Sequence, residues 1–97
     1  MPVVVVFQGP GFTQGNYEES VRRITNGKSK VESPADWPVE GLLAHIVGEG
    51  ENGFRVVDVW ESEEAFSRFG ETLMPILQDM GVEGRPEVYP AHTFVSA

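Results

Sequence analysis

The sequence predicts an α+β domain in which two helices cover one face of a four-stranded antiparallel sheet. Its 97 residues suffice for one domain and are too few for two, because domains usually contain about 100–150 residues. Four β-branched or aromatic segments and two amphipathic segments follow the order strand, helix, strand, strand, helix, strand. No linker, internal repeat or low-complexity tract divides residues 1–97. This order is the ferredoxin-like βαββαβ arrangement, with both helices on one face of the sheet.

The first strand is predicted over residues 2–8, a β-branched and aromatic run that Gly9-Pro10-Gly11 ends. The run has no polar alternation, so apolar side chains point to both faces of the sheet: Val3, Val5 and Phe7 to one, Val4 and Val6 to the other. Both faces of this strand therefore need apolar cover.

The first helix is predicted to begin near Tyr17, with Thr13 or Asn16 as its N-cap. Glu18 and Glu19 are placed in its first turn, where the helix dipole favours negative charge. Apolar residues at helical spacing form one stripe: Tyr17, Val21 and Ile24. Asn26-Gly27 ends the helix.

Two strands follow a long loop and are joined as a hairpin. Residues 28–41 contain prolines and no clear period, which predicts a loop with Trp37 packed back onto the body. LLAHIVGE (42–49) and FRVVDVW (54–60) are the strands. The GENG between them, with Asn52-Gly53 at its end, is a strong hairpin signal.

The second helix is predicted from its Ser62 cap to Gly81, with acidic residues in its first turn. Its apolar stripe consists of Phe66, Phe69, Leu73, Ile76 or Leu77, and Met80. Pro75 lies within this span, so a kink or a division of the helix in two is expected. The last segment, PEVYPAHTFV (86–95), contains Pro90, which predicts an edge strand.

The composition excludes several classes of function. A formal net charge of −8, with only seven Lys and Arg residues, argues against nucleic acid or a membrane surface as a partner, because both require clustered positive charge. The chain has no cysteine, so disulfides, thiolate metal sites and cysteine nucleophiles are excluded, and a cytoplasmic location is expected. The VVVVF run is too short to span a membrane.

The sheet face opposite the helices is left uncovered, and the first strand makes that face apolar. Two such faces packed against each other would bury this surface. The sequence therefore predicts a homodimer that forms through the sheet and encloses a shared interior, as an α+β barrel.

Asp58 interrupts a valine-rich strand, and the hairpin register decides what it faces. If Asn52-Gly53 is a two-residue loop, Asp58 lies opposite Val47; if Glu51-Asn52 is the loop, Asp58 lies directly opposite His45. Both registers put His45, Asp58 and Trp60 on one face, whereas an odd-length loop separates them. We expect that face to be the dimer-facing interior, because phenylalanines of the second helix are expected to fill the other face.

Three segments carry a resemblance to a known family: VVDVWESEEAFSRF (56–69), LMPILQDMGV (73–82) and the closing strand with His92. Together they resemble the dimeric α+β barrel superfamily, nearest to its antibiotic biosynthesis monooxygenase-like group. The resemblance covers the whole chain in element order. It implies a pocket between the helices and the sheet, or in the interior. In enzymatic members it implies oxidation of aromatic polyketide-like substrates without a cofactor, so neither a cofactor nor a metal is expected.

Within this resemblance, His45 and Asp58 are the candidate catalytic residues. The aspartate would fix the imidazole tautomer and raise its basicity, so that His45 removes a proton from a phenol or enol. The resulting anion would react with dioxygen without a metal or flavin. The candidate substrate-binding residues are Trp60, His92, Phe54 and Phe69, with Trp60 as a flat wall for a conjugated ring.

Two alternatives stay open on the residues alone. The first is that His45 and Asp58 form a purely structural cross-strand hydrogen bond, since structural ion pairs also occupy such positions. The second is that the chain is a non-catalytic dimeric barrel that binds a small hydrophobic or aromatic molecule or takes part in a stress response.

Overall fold

The structure of the chain, a computed structural model, describes residues 1–9, 12–28, 31–51, 53–82 and 86–96. In chain order its elements are β1 (Val3–Phe7), α1 (Gln14–Thr25), a short 3-10 helix (Pro34–Asp36), β2 (Leu42–Gly50), β3 (Gly53–Trp60), α2 (Glu63–Asp79) and β4 (Glu87–Pro90). The strands form one antiparallel sheet in the order β2-β3-β1-β4. The predicted ferredoxin-like fold is confirmed. Of the predicted turn residues, Pro10, Gly11 and Asn52 lie outside the described residues.

Both helices pack against one face of the sheet, and the core lies between them and it. Alternate residues of β1 and β3 point toward the helices, as a half-buried strand requires. The buried apolar residues of this layer are Val3, Val5, Tyr17, Val21, Trp37, Leu42, Phe54, Val56, Trp60, Ala65, Phe66, Phe69, Leu73 and Leu77. Trp37 packs onto the body from its loop, as predicted.

Helix α1 begins earlier than expected because Thr13, and not Asn16, is its N-cap. The Thr13 side chain accepts from the Asn16 backbone N–H, and the Asn16 side chain accepts in return from the Thr13 backbone N–H. The first turn therefore contains no acidic residue, and the prediction that Glu18 and Glu19 lie in it is wrong. The predicted end at Asn26 is confirmed, with Asn26 in the left-handed conformation.

Helix α2 begins at its predicted Ser62 cap and runs unbroken past Pro75. The predicted division of the helix is wrong because the exposed side of α2 tolerates the proline. Pro75 leaves the Glu71 carbonyl without its intrahelical donor, and on that side of the helix water can hydrogen-bond to it. Across the described residues, neither helix is long and apolar enough to cross a membrane.

The hairpin pairs Gly50 with Gly53 and places His45 directly opposite Asp58. This is the second of the two even registers that the sequence allowed. The pairing shifts by one residue between Leu42 and Ala44, so Leu42 instead of Leu43 faces the core. Leu43 is left exposed by this bulge, which the sequence did not predict.

Among the described residues, strand β4 pairs with β1 alone, which confirms the predicted edge position. It ends at Pro90, so the expected strand over residues 86–95 is too long. The two helices do not cover the other face of the sheet, where Val6 is nonetheless buried, at 6% exposed. We call it the open face; its residues include Val4, Val6, Ala44, Ile46, Val57, Val59 and Tyr89.

Candidate functional site

A buried carboxylate lies in the middle of the helix-covered face of the sheet. Asp58 is 2% exposed, and strand β3 positions it between Val56 and Trp60 on that face. The cross-strand pairing with β2 brings His45 beside it. Helix α1 then places Tyr17, one turn after its Thr13 cap, over the same spot.

Four side chains form a continuous hydrogen-bond chain through this point. His45 Nδ1 lies 2.6 Å from Asp58 Oδ1, and His45 Nε2 lies 2.5 Å from Tyr17 Oη. The indole N–H of Trp60 donates to the other carboxylate oxygen, Asp58 Oδ2, at 3.3 Å. Both oxygens of the buried carboxylate are thus satisfied, which is what its burial requires.

The Asp58 carboxylate determines where the protons lie along these hydrogen bonds. An ionised carboxylate can only accept, so His45 Nδ1 carries a proton and donates to Asp58. In the neutral imidazole, Nε2 is then an acceptor, and the Tyr17 hydroxyl donates to it. Burial, together with the negative charge of Asp58, raises the pKa of Tyr17 to about 12. Tyr17 therefore keeps its proton at neutral pH.

This cluster lies on the helix side of the sheet, so the prediction that it faces the dimer interior is wrong. Trp60 stacks on Phe69 of α2, with ring centroids 5.0 Å apart, and Tyr17 of α1 contacts His45. The prediction assumed that only phenylalanines of α2 would face the sheet on the helix side, and that these could not accommodate a polar group. Trp60 and Tyr17 supply both an apolar body and a polar tip, and so accommodate the carboxylate and the imidazole.

A cleft of about 440 Å³ opens beside Tyr17 and His45, between α1 and β2. Its volume is within the range of small-molecule sites. Its walls combine apolar and polar side chains: Gln14, Tyr17, Glu18, Val31, His45, Val47, Gly48, Glu49 and Phe54. The side chain of His45 is 10% exposed, so the hydrogen-bond chain approaches the cleft surface at this end while Asp58 stays buried.

Beside the cleft, the layer between helices and sheet leaves little further space. A second depression, partly open to solvent and about 30 Å³ in volume, is bordered by Asp58, His45 and Trp37 and is enough for about one water molecule. Trp37 stacks on Phe69 and meets His45 edge-on, with centroids 5.3 and 5.4 Å apart. A ligand of the size of an aromatic ring therefore fits the cleft and not this depression.

The structure brings together some of the predicted site residues and separates others. His45 and Phe54 line the cleft, and Asp58 lies one hydrogen bond behind it. Trp60 is fully buried and Phe69 is 2% exposed, so both are core residues, with no surface for a substrate.

His92 is far from the cluster in the topology of the sheet. It follows β4, at the edge opposite to β2, where it is exposed and hydrogen-bonds with Thr93. The predicted role of His92 in the same pocket as His45 is therefore not supported within one chain.

The sequence pattern indicated Tyr17 only as an apolar stripe residue of α1. Its polar role was missed because the angle at which a helix crosses a sheet is not encoded in local periodicity. The only available signal was that tyrosine, when buried, usually requires a hydrogen-bond partner.

The likeness to other proteins is one of structure. The chain matches no protein-family model, and no curated protein sequence matches it either. Among solved structures, it is similar to a mutant form of SnoaB, a cofactor-independent oxygenase from Streptomyces nogalater. The TM-score is 0.57 at 16% identity, over 99% of this chain and 96% of the SnoaB chain. The two proteins share a fold. At this identity the likeness to SnoaB shows the fold alone.

Proposed function

We propose that this chain is a cofactor-independent oxygenase that acts on a small aromatic or polyketide-like substrate. The observation that carries the proposal is the hydrogen-bond chain from Asp58 through His45 to Tyr17, at the wall of a cleft large enough for an aromatic ring. The fold shared with SnoaB, itself a cofactor-independent oxygenase, adds support. Fold alone does not determine a reaction, so the proposal depends on the site.

In this proposal His45 is the base, and Asp58 orients it. A phenol or enol, such as the enol tautomer of a hydroxyanthrone, loses its hydroxyl proton to the imidazole, and the Asp58 carboxylate stabilises the imidazolium. The resulting anion adds to dioxygen through its ring carbon, and the peroxide anion that forms takes a proton back from the imidazolium. The hydroperoxide then loses water. One oxygen atom becomes the new carbonyl, and the other leaves as water.

The aromatic ring of the substrate is expected to lie against the apolar walls of the cleft. Phe54 offers a ring edge or face, and Val31 and Val47 offer aliphatic contacts. In this proposal Phe54 and other residues that line the cleft bind the substrate. Trp60 and Phe69 are buried and support the site without contacting the substrate.

We also propose that two copies of the chain associate through their open faces. That surface is mainly apolar, with Arg55 and Glu87 as charged residues on the same face, and it lies on the side of the sheet away from the cleft. Each copy would therefore keep its own cleft, exposed on the outer, helix-covered side.

The test is oxygen consumption with dithranol, a hydroxylated anthrone, after subtraction of the protein-free rate. His45→Ala is expected to lower kcat/KM by roughly 100-fold or more, because a positioned general base contributes that much. His92→Ala, the matched histidine control, is expected to keep the rate. His45→Gln, whose amide can still donate to Asp58, replaces the alanine variant if that variant does not fold. Equal rates for the wild type and the His45 variant would contradict the proposal, as would a wild type with no activity.

A second candidate function has one observation in its favour. Both nitrogens of His45 already have protein partners, which is also what a purely structural histidine would show. The chain would then be a non-catalytic protein that binds a small aromatic molecule in the cleft. In that case dithranol would bind without accelerated oxygen consumption.

A further inference from the structure

We propose that Tyr17 is the residue that contacts the ionisable hydroxyl of the ligand, and that the proton reaches His45 through the Tyr17 hydroxyl. This rests on the function proposed above and assigns a direct role to a residue that the sequence indicated only as core. The ligand class that follows is a phenol or enol whose hydroxyl can reach the inner wall of the cleft.

Both ring nitrogens of His45 are already hydrogen-bonded within the protein. Nδ1 is bonded to Asp58 at 2.6 Å, and Nε2 is bonded to Tyr17 at 2.5 Å. A ligand that approached the imidazole directly would first have to break the bond between Tyr17 and His45. That would leave the hydroxyl of the buried Tyr17 side chain without its partner.

The hydroxyl oxygen of Tyr17 can still accept a hydrogen bond. A phenolic oxygen donates one hydrogen bond and can accept others, and Tyr17 uses its donor on His45. The residue also lines the cleft. A ligand hydroxyl can therefore donate to Tyr17 Oη while Tyr17 donates to His45 Nε2, with every existing bond kept.

The proton transfer through this arrangement is balanced. The ligand O–H bond breaks and a new O–H bond forms on Tyr17 Oη, while the original Tyr17 proton moves to His45 Nε2. No electron is lost from the protein, and the products are a ligand anion and an imidazolium beside the Asp58 carboxylate. Tyr17 ends as a neutral phenol that donates to the ligand anion and stabilises it.

The environment of Tyr17 favours a relay over a tyrosinate base. Burial and the charge of Asp58 raise the pKa of Tyr17 to about 12, so a tyrosinate anion is disfavoured. In the relay Tyr17 gains the ligand proton as it gives up its own, so no such anion forms. Other charged groups that line this cleft are Glu18 of α1 and Glu49 of β2. Both carboxylates favour the positive imidazolium and oppose a negative tyrosine.

The test uses para-nitrophenol as the probe, because its anion absorbs visible light and reports the proton step without any reaction with dioxygen. In the wild type the bound probe is expected to ionise at a pH lower by about one unit than in free solution, since the imidazolium stabilises the phenolate. Tyr17→Phe keeps the ring that packs on Phe54 and removes only the hydroxyl. Tyr89→Phe removes the hydroxyl of the exposed tyrosine on the open face and is the matched control.

The relay predicts that Tyr17→Phe and His45→Gln both abolish this shift, while Tyr89→Phe keeps it. If Tyr17→Phe keeps or increases the shift and His45→Gln loses it, His45 meets the ligand directly and the relay is overturned. If neither variant alters the shift, or the wild type shows none, the relay is also overturned. A shift with the predicted pattern, but no oxygen consumption with dithranol, would support the relay and contradict the oxygenase function.

Discussion

Asp58 shows how a strand of valines can hold a charge in its middle. The carboxylate is 2% exposed, and two donors, Trp60 Nε1 and His45 Nδ1, each take one of its oxygens. Loss of the carboxylate would leave both buried donors without a partner. A buried donor that loses its hydrogen bond costs more than the bond itself contributed.

Asp58→Ala is therefore expected to lower the free energy of unfolding by about 2–4 kcal/mol, the range seen when a buried charged hydrogen bond loses one partner. The measurement is urea unfolding at neutral pH. Asp79→Ala is the matched control, because Asp79 is 77% exposed and its ion pair with Arg23 lies on the surface. Its expected change is within about 0.5 kcal/mol. Equal losses in the two variants would contradict this account of Asp58.

At the scale of elements, the entry into β2 decides which of its residues reach the site. Gly41 precedes β2 and has a φ of 116°, and its carbonyl accepts from the Glu61 N–H at 2.8 Å. A Cβ on Gly41 would come within 2.7 Å of the Ala65 Cβ, at the start of α2. Glycine thus lets β2 begin close against the helix, just before the bulge between Leu42 and Ala44.

Gly41→Ala is expected to destabilise the fold by about 1–3 kcal/mol, through the left-handed backbone and the clash with Ala65. Gly48→Ala, in the same strand, is the matched control: nothing lies within 4 Å of its Cβ position and its φ is not positive. Its expected effect is within about 0.5 kcal/mol. Urea unfolding of the two variants gives the comparison, and a Gly41→Ala protein as stable as Gly48→Ala would contradict the steric argument.

The sequence was enough to predict the order of the elements and the edge position of β4, but not the register of the hairpin. Periodicity and capping residues predicted the element order and the edge position of β4, because these depend on local chemistry. The hairpin gave two even registers, and only packing selected the one that pairs His45 with Asp58.

The face on which the cluster lies was predicted incorrectly. Polarity alone argued against the helix side, whereas the satisfied hydrogen bonds there depend on Tyr17 and Trp60 arriving from distant segments. Such convergence is a property of tertiary structure, and no local window of the sequence contains it. The bulge in β2 was missed for the same reason, since it arises from the fit of β2 to its neighbours.

At the scale of the whole molecule, the site and the open face lie on opposite sides of one sheet. Both helices pack on the same face of the sheet, so they leave the open face without helical cover. Ile46 is 62% exposed and Tyr89 is 43% exposed, so large apolar side chains of the open face meet solvent in the single chain. A second copy with the same face would bury them by two-fold symmetry.

Ile46→Asp is therefore expected to convert a dimer into a monomer, because it places one charge from each copy in an apolar contact. Analytical ultracentrifugation of the wild type and the variant measures the change in mass. Val95→Asp is the control, since Val95 is 85% exposed and lies in no strand. A monomeric wild type, or a dimer that survives Ile46→Asp, would contradict association through the open face. Because the cleft is on the helix side, the monomeric variant is also expected to retain the ionisation shift of bound para-nitrophenol. This result would show that the proton relay does not depend on dimer formation.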